Sequence, residues 1–202
     1  MNESAYAEII RRNLQQAFAR DPGHLAACLS ARLTPQGIAL RVFGTEGLLT
    51  AEAACLDDAP DWGPRGVVLS LLACRAHPEP CEPLPWRAFR ELPDSMPYVG
   101  AFRTHAEAIL VPQVGALARA AGAIAGAMDG EVLADPAPGD FGIRLQPVPK
   151  IQLTYLFYLP DETFPANATC LFSRNADRFL PTDALADVAE YTSRAMLARC
   201  GE

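Results

Sequence analysis

The stretch Pro147–Phe172, PVPKIQLTYLFYLPDETFPANATCLF, decides the fold. From Lys150 to Tyr155 apolar and polar residues alternate, the period-two pattern of a half-buried strand. Ile151, Leu153, Tyr155 and Phe157 share one face, and Gln152 and Thr154 share the other. From Leu156 both faces turn apolar. Pro160, Asp161 and Glu162 supply a turn, and Ala168, Cys170 and Phe172 offer an apolar face on the return. The pattern predicts an antiparallel hairpin in the middle of a sheet.

On the N-terminal side, Phe141, Ile143 and Leu145 alternate with Gly142, Arg144 and Gln146 and add a strand. The segment Asp135–Asp140 reads as a turn and as the candidate subdomain boundary. Earlier, Ile38–Phe43 and Leu48–Ala54 read as strands around a Gly44–Gly47 loop, and Trp86–Leu92 as a short strand. Helical spacing marks Ala5–Arg20, His24–Leu33, Val67–Leu72, Tyr98–Leu110 and Val114–Met128. Ser173 caps a short helix to Phe179, and Pro181 opens the last helix. Val114–Met128 is rich in Ala and Gly, and since Gly costs a helix about 1 kcal/mol relative to Ala, close packing is expected there. Alternating β–α–β units are absent. The expectation is one α+β domain over residues 1–202, with helices packed on a mostly antiparallel sheet of about five strands and a helical insertion between two strand sets.

Composition narrows the function classes. Half of the 202 residues are apolar and a fifth are charged, a globular balance. The net charge of −7 argues against nucleic acid and against an anionic membrane as partner. Ile109–Met128 is the most membrane-like run, but Pro112 and Arg119 interrupt it. The start, MNESAYAEIIRRN, reads without a secretory signal. With six cysteines and no export signal, reduced thiols and a cytoplasmic location are expected.

Four stretches carry candidate chemistry. Trp86-Arg87-Ala88-Phe89-Arg90-Glu91, followed by Tyr98, Arg103 and His105, gathers arginines and aromatics beside a proline-rich loop. Arginine offers a planar fork of donors to a carboxylate or phosphate, and Trp86 and Tyr98 would wall the ligand. The plainer alternative is that Trp86 and Phe89 pack into the core. Asp161-Glu162 at the hairpin tip pairs two acids, for which a charged turn is the ordinary role. Cys74-x2-His77-x3-Cys81 has metal-ligand residue types, but a fourth ligand would have to be His24, Cys55 or His105 brought near by the fold, so no metal is assigned and the cofactor is unknown. Gly139-Asp140-Phe141-Gly142 mimics a kinase D-F-G without its partner motifs. No nucleophile elbow, P-loop or zinc-protease motif is present.

Three stretches, taken together, resemble the uncharacterised domain-of-unknown-function 3786 family. They are Trp86–Pro93 with Tyr98 and Phe102, Pro147-Val148-Pro149 before an apolar strand, and Asp161–Ala166 followed by Leu171-Phe172. The resemblance implies a cytoplasmic protein of anaerobic metabolism, near corrinoid, tetrapyrrole or iron–sulfur chemistry, and no established reaction. Thr163 stands where a second Glu is usual and Ser173 where Asp is usual.

Three readings follow. The first is a ligand-binding or accessory domain that grips a small anion with Arg87, Arg90 and Arg103. The second is an enzyme with Glu91, Asp161 or Glu162 as general base and His105 as partner. The third is a scaffold that contacts a partner protein through Val114–Met128.

Overall fold

The computed structural model describes residues 3–136 and 138–201; of the turn read across 135–140, Ala137 lies outside them. Among the described residues the chain forms two antiparallel sheets of five strands each, with helices packed on them. The two strand sets expected from the pattern thus make separate sheets instead of one.

The main sheet is built on the predicted hairpin. Strands β9 (Ile151–Tyr158) and β10 (Asn167–Phe172) pair from Asn167 opposite Tyr158 to Phe172 opposite Leu153. Strand β8 (Phe141–Val148) flanks β9, with Ile143 opposite Tyr155 and Leu145 opposite Leu153. The register slips between Leu145 and Val148, where Pro147 has no N–H to give to the ladder. Two very short strands, β6 (Arg87–Ala88) on β10 and β7 (Glu131–Leu133) on β8, complete the order β6-β10-β9-β8-β7. The strand read over Trp86–Leu92 is therefore only two residues long. After Ala88 the chain turns in as a 3-10 turn, Phe89–Glu91, and Phe89 is buried.

The small sheet is a meander of β1 (Arg32–Thr34), β2 (Gly37–Val42), β3 (Thr45–Leu49), β4 (Ala54–Leu56) and β5 (Ala59–Pro60). Phe43 and Gly44, both at positive φ, form the two-residue turn between β2 and β3. The four-residue loop expected there is shorter because Gly47 belongs to β3. This turn joins the sheets: Phe43 N–H donates to Pro147 O at 2.6 Å.

Helices fill the remaining faces. Helix α1 (Glu3–Phe18) packs on α3 (Pro64–Cys74), with Asn13 donating to Ser70 Oγ at 3.2 Å. Gly66 permits that approach, since a Cβ there would stand 2.9 Å from Ile10 Cδ1 of α1, and it lets the preceding loop close in, where Asp61 O would be 1.9 Å away. Helix α2 (Pro22–Cys28) is shorter than predicted because β1 claims Arg32 and Leu33. The run after Pro93 is helical in pieces: α4 (Val99–Phe102), a π-helical stretch Arg103–Ala108, and α5 (Val114–Ala127). The helical run Met96–Ala127 is long and apolar enough to span a bilayer by composition. Within it Leu110, Val114, Leu117 and Ile124 are buried in the core.

Two more helices, α6 (Ala176–Phe179) and α7 (Thr182–Ala198), close the fold. On its buried side α7 meets the sheet: Tyr155 O–H donates to Ala189 O at 3.1 Å, and Ser193 O–H donates to Ala106 O at 2.6 Å. The proline-rich loop is pinned to α6. Glu82 N–H donates to Asn175 Oδ1, and Asn175 Nδ2 donates to Pro80 O, both at 2.9 Å. Lys150, at φ +68 in the β8–β9 turn, is buried and donates from Nζ to Glu79 O at 3.0 Å.

The small residues of α5 do not all serve close packing. A Cβ on Gly122 or Gly126 would meet no atom within 4 Å, and both glycines are exposed. Gly122→Ala should therefore raise stability by about 0.5–1 kcal/mol, because the alanine removes backbone entropy from the unfolded chain without a clash. Urea unfolding measures this; a loss of stability would mean that the face is covered.

Candidate functional site

The site begins with a stack of rings. Phe89 and Phe102 are buried and lie face to face, with centroids 4.1 Å apart and planes 4° from parallel. Both lean on Phe172 of β10, at 6.0 and 5.8 Å. Each ring is followed in sequence by an arginine, so the stack delivers Arg90 and Arg103 to one surface. Both line a hollow of about 380 Å³ that also touches Thr169 and Asn167. Neither has a salt bridge or side-chain hydrogen bond among the described residues.

A larger hollow of about 750 Å³ adjoins the first and shares Arg103, Glu107, Asn167 and Ala168 with it. Its apolar wall is Val111, Leu159, Phe164 and Pro165, and its far end carries Asp140, Tyr158 and Asp161. Together the hollows form a groove between the Val99–Val111 segment and β10.

Glu107 sits where they join. Burial pushes its carboxyl above the usual range, while the N–H of Cys170 and the charge of Arg103 oppose the rise. That N–H donates to Glu107 Oε1 at 3.0 Å. Arg103 and Glu107 both lie in the π-helical stretch. Such wide turns occur often at functional sites. Inside it the Ala106 carbonyl accepts from Ser193, and a side chain that competes for a ladder carbonyl distorts a helix.

The structure separates the residues that the sequence singled out. Arg90, Arg103 and Asp161 line the groove. Arg87 does not; its guanidinium pairs with Asp177 at 3.0 Å and donates to the carbonyls of Arg174 and Glu91. Trp86 is no wall of the groove, because its ring lies 5.4 Å from the guanidinium carbon of Arg144 on β8. Glu91 ties down its own turn, accepting from Ala88 N–H at 2.7 Å. Asp161 also shapes the hairpin tip, accepting from the N–H groups of Thr163 and Phe164 at 2.7 Å, which hold its carboxyl below the usual range. Glu162 is exposed at that tip. Tyr98 and His105 line a separate hollow of about 170 Å³ against α7. The acid–base set of Glu91, Asp161, Glu162 and His105 is therefore scattered and shares no common point.

His77, the imidazole of the C-x2-H-x3-C triplet, stacks on Phe179 at 4.4 Å and faces Glu79 at 3.7 Å. No group of three or more metal-ligating side chains gathers among the described residues. All six cysteines are free thiols. The sequence reading missed Glu107, Asn167 and Asp140. The spacing of Arg103 and Glu107, opposite charges four apart in one helical run, was the available signal.

The chain belongs to the DUF3786 family, a domain of unknown function, whose model matches residues 21–195. No curated protein and no solved structure matches it.

The hollow beside α7 holds a second perturbed acid. Burial, then Glu190 and Asp183, raise the Asp187 carboxyl to about 6. Well below pH 4 it is protonated folded and unfolded alike and costs nothing. As the pH rises the unfolded chain ionises first, so the cost builds until the pH passes about 6. Asp187→Asn should then stabilise the fold above pH 7 and lose that gain near pH 4. We expect about 1 kcal/mol, less than the ~3 kcal/mol of an unscreened shift because the group is only half-buried. Thermal melts between those pH values measure it; an equal effect at both ends would exclude a charge origin.

Proposed function

We propose that this chain is a binding module that holds a small ligand carrying a carboxylate or phosphate, with Arg90 and Arg103 as the anchor. The observation that carries the reading is the stacked Phe89–Phe102 pair, which sets two otherwise unpaired guanidinium groups on one hollow. Among the described residues neither guanidinium is held in an ion pair, although Glu107 lies near Arg103, so both keep donors free for an anionic ligand. The apolar wall beyond them, with Phe164 at 68% exposure and Leu159 at 43%, gives the body of such a ligand a surface to cover.

The setting is read from the family resemblance: a cytoplasmic accessory protein of anaerobic metabolism. A corrinoid or tetrapyrrole would be held in this groove by its acidic side groups, since no thiol or imidazole lines either hollow among the described residues.

Calorimetric titration with inorganic phosphate and with glutarate tests the anchor. Replacing Arg90 and Arg103 together by Ala should weaken binding of both probes by roughly tenfold or more, as expected for lost charge-assisted hydrogen bonds. Arg87→Ala should leave it unchanged, because that guanidinium is engaged with Asp177. If the double variant binds like the parent protein, the anchor is elsewhere.

A further inference from the structure

We infer that the ligand of the groove is a free α-amino acid with a large apolar side chain. Its carboxylate lies on Arg90 and Arg103, its ammonium group on Glu107, and its side chain in the larger hollow against Val111. This rests on the anion-binding reading above and narrows it to a compact zwitterion, in place of the macrocycle that the family resemblance suggests.

The first argument is the acid beside the anchor. Arg103 and Glu107 stand four positions apart in the π-helical stretch, and each lines both hollows. Opposite charges at that spacing ordinarily meet. Here they form no salt bridge; the Cys170 N–H holds Glu107 Oε1 against β10 at 3.0 Å. The other carboxylate oxygen, Oε2, accepts no hydrogen bond among the described residues. A plain anion on Arg103 lies close to this negative charge and is repelled by it. In an α-amino acid the ammonium nitrogen and the carboxylate carbon share one carbon and sit about 2.5 Å apart. Residues four apart on a helix start about 5–6 Å from each other at Cβ, so one small ligand reaches both. Each of its heads then meets the opposite charge, and the repulsion becomes a second attraction.

The second argument is the difference between the hollows. Arg90 lines only the smaller one, with Thr169 beside it. That assigns the carboxylate to the smaller hollow. Val111, Leu159, Phe164 and Pro165 line only the larger. Val111 follows Glu107 by four positions, and an apolar side chain leaving the ligand beside Glu107 meets it first. Both hollows fall in the size range of small-molecule sites, about 300–1,000 Å³.

The third argument is reach. Asp140 and Asp161 line the larger hollow and invite a basic side chain. Glu107, however, is fixed at Cys170, whereas Asp140 accepts from Leu159 N–H at 2.7 Å, past the Asn167–Tyr158 pair and one strand over. Cys170 to Asn167 is about 10 Å along β10, and the next strand is about 5 Å across. A lysine side chain extends about 6 Å and falls short. The two acids therefore act by turning away side chains that end in a carboxylate.

The test is calorimetric titration of the whole chain with leucine, with 4-methylpentanoate, which lacks the ammonium group, and with isoamylamine, which lacks the carboxylate. Leucine should bind roughly tenfold more tightly than either, and more tightly than phosphate, glutamate or lysine. Glu107→Gln keeps an oxygen for the Cys170 N–H and removes the charge. It should weaken leucine about tenfold and leave 4-methylpentanoate bound as well as before or better. Val111→Thr keeps the shape of the wall and adds a hydroxyl. It should weaken leucine severalfold and leave phosphate unaltered. If phosphate binds through Arg90 and Arg103 while leucine binds no better than 4-methylpentanoate, the amino-acid assignment fails and the anion site stands. It fails in the same way if Glu107→Gln lowers both affinities equally, if Val111→Thr leaves leucine unchanged, or if lysine overtakes leucine. If no probe binds, both readings fail.

Discussion

A buried tyrosine holds the site in place. Tyr155 stands in the middle of β9, fully buried, with its hydroxyl aimed at the α7 backbone and 3.2 Å from the hydroxyl of Ser193. Ser193 in turn reaches the carbonyl of Ala106. Three elements far apart in sequence, the sheet, the last helix and the π-helical stretch, are thereby tied at one point. A buried polar group left without a partner costs about 1–3 kcal/mol, so each hydroxyl is held to the carbonyl that accepts from it. Arg103 and Glu107 lie on the stretch so fixed. The Phe89, Phe102 and Phe172 cluster holds the Arg90 side of the groove by ring contacts.

Much of the fold was legible because the main hairpin repeats its pattern over many residues. Strands β8, β9 and β10 are six to eight residues long, enough for a period of two to show, and register follows once one face is buried. Strands β1, β4, β5, β6 and β7 have two or three residues each, too few to show a period. Their omission hid the division into two sheets. The helices were placed well, but nothing in local spacing announces a π-helical turn in which the Ala106 carbonyl accepts from a serine on another helix.

The site was half legible for a related reason. Clustering of Arg and aromatic residues pointed to Arg90 and Arg103, but the aromatics that matter are the buried Phe89 and Phe102 and not Trp86 and Tyr98. Arg87 looks the same as Arg90 in the sequence. Its partner Asp177 lies 90 residues away, and only the fold reveals that it is engaged. Likewise Glu107 meets Cys170 across 63 residues. Which charges are free and which are spent is a property of tertiary contact.

Lys150 has a bearing on how the surface responds to its surroundings. It is the only lysine in the chain, and its amine is enclosed against the Glu79 carbonyl. Every other side-chain cation that is not histidine is a guanidinium, which stays protonated at any physiological pH. Acetylation and acyl-ester labelling find no exposed lysine here to neutralise. The positive half of the surface potential is thus constant, and its variation falls to the carboxylates and three histidines.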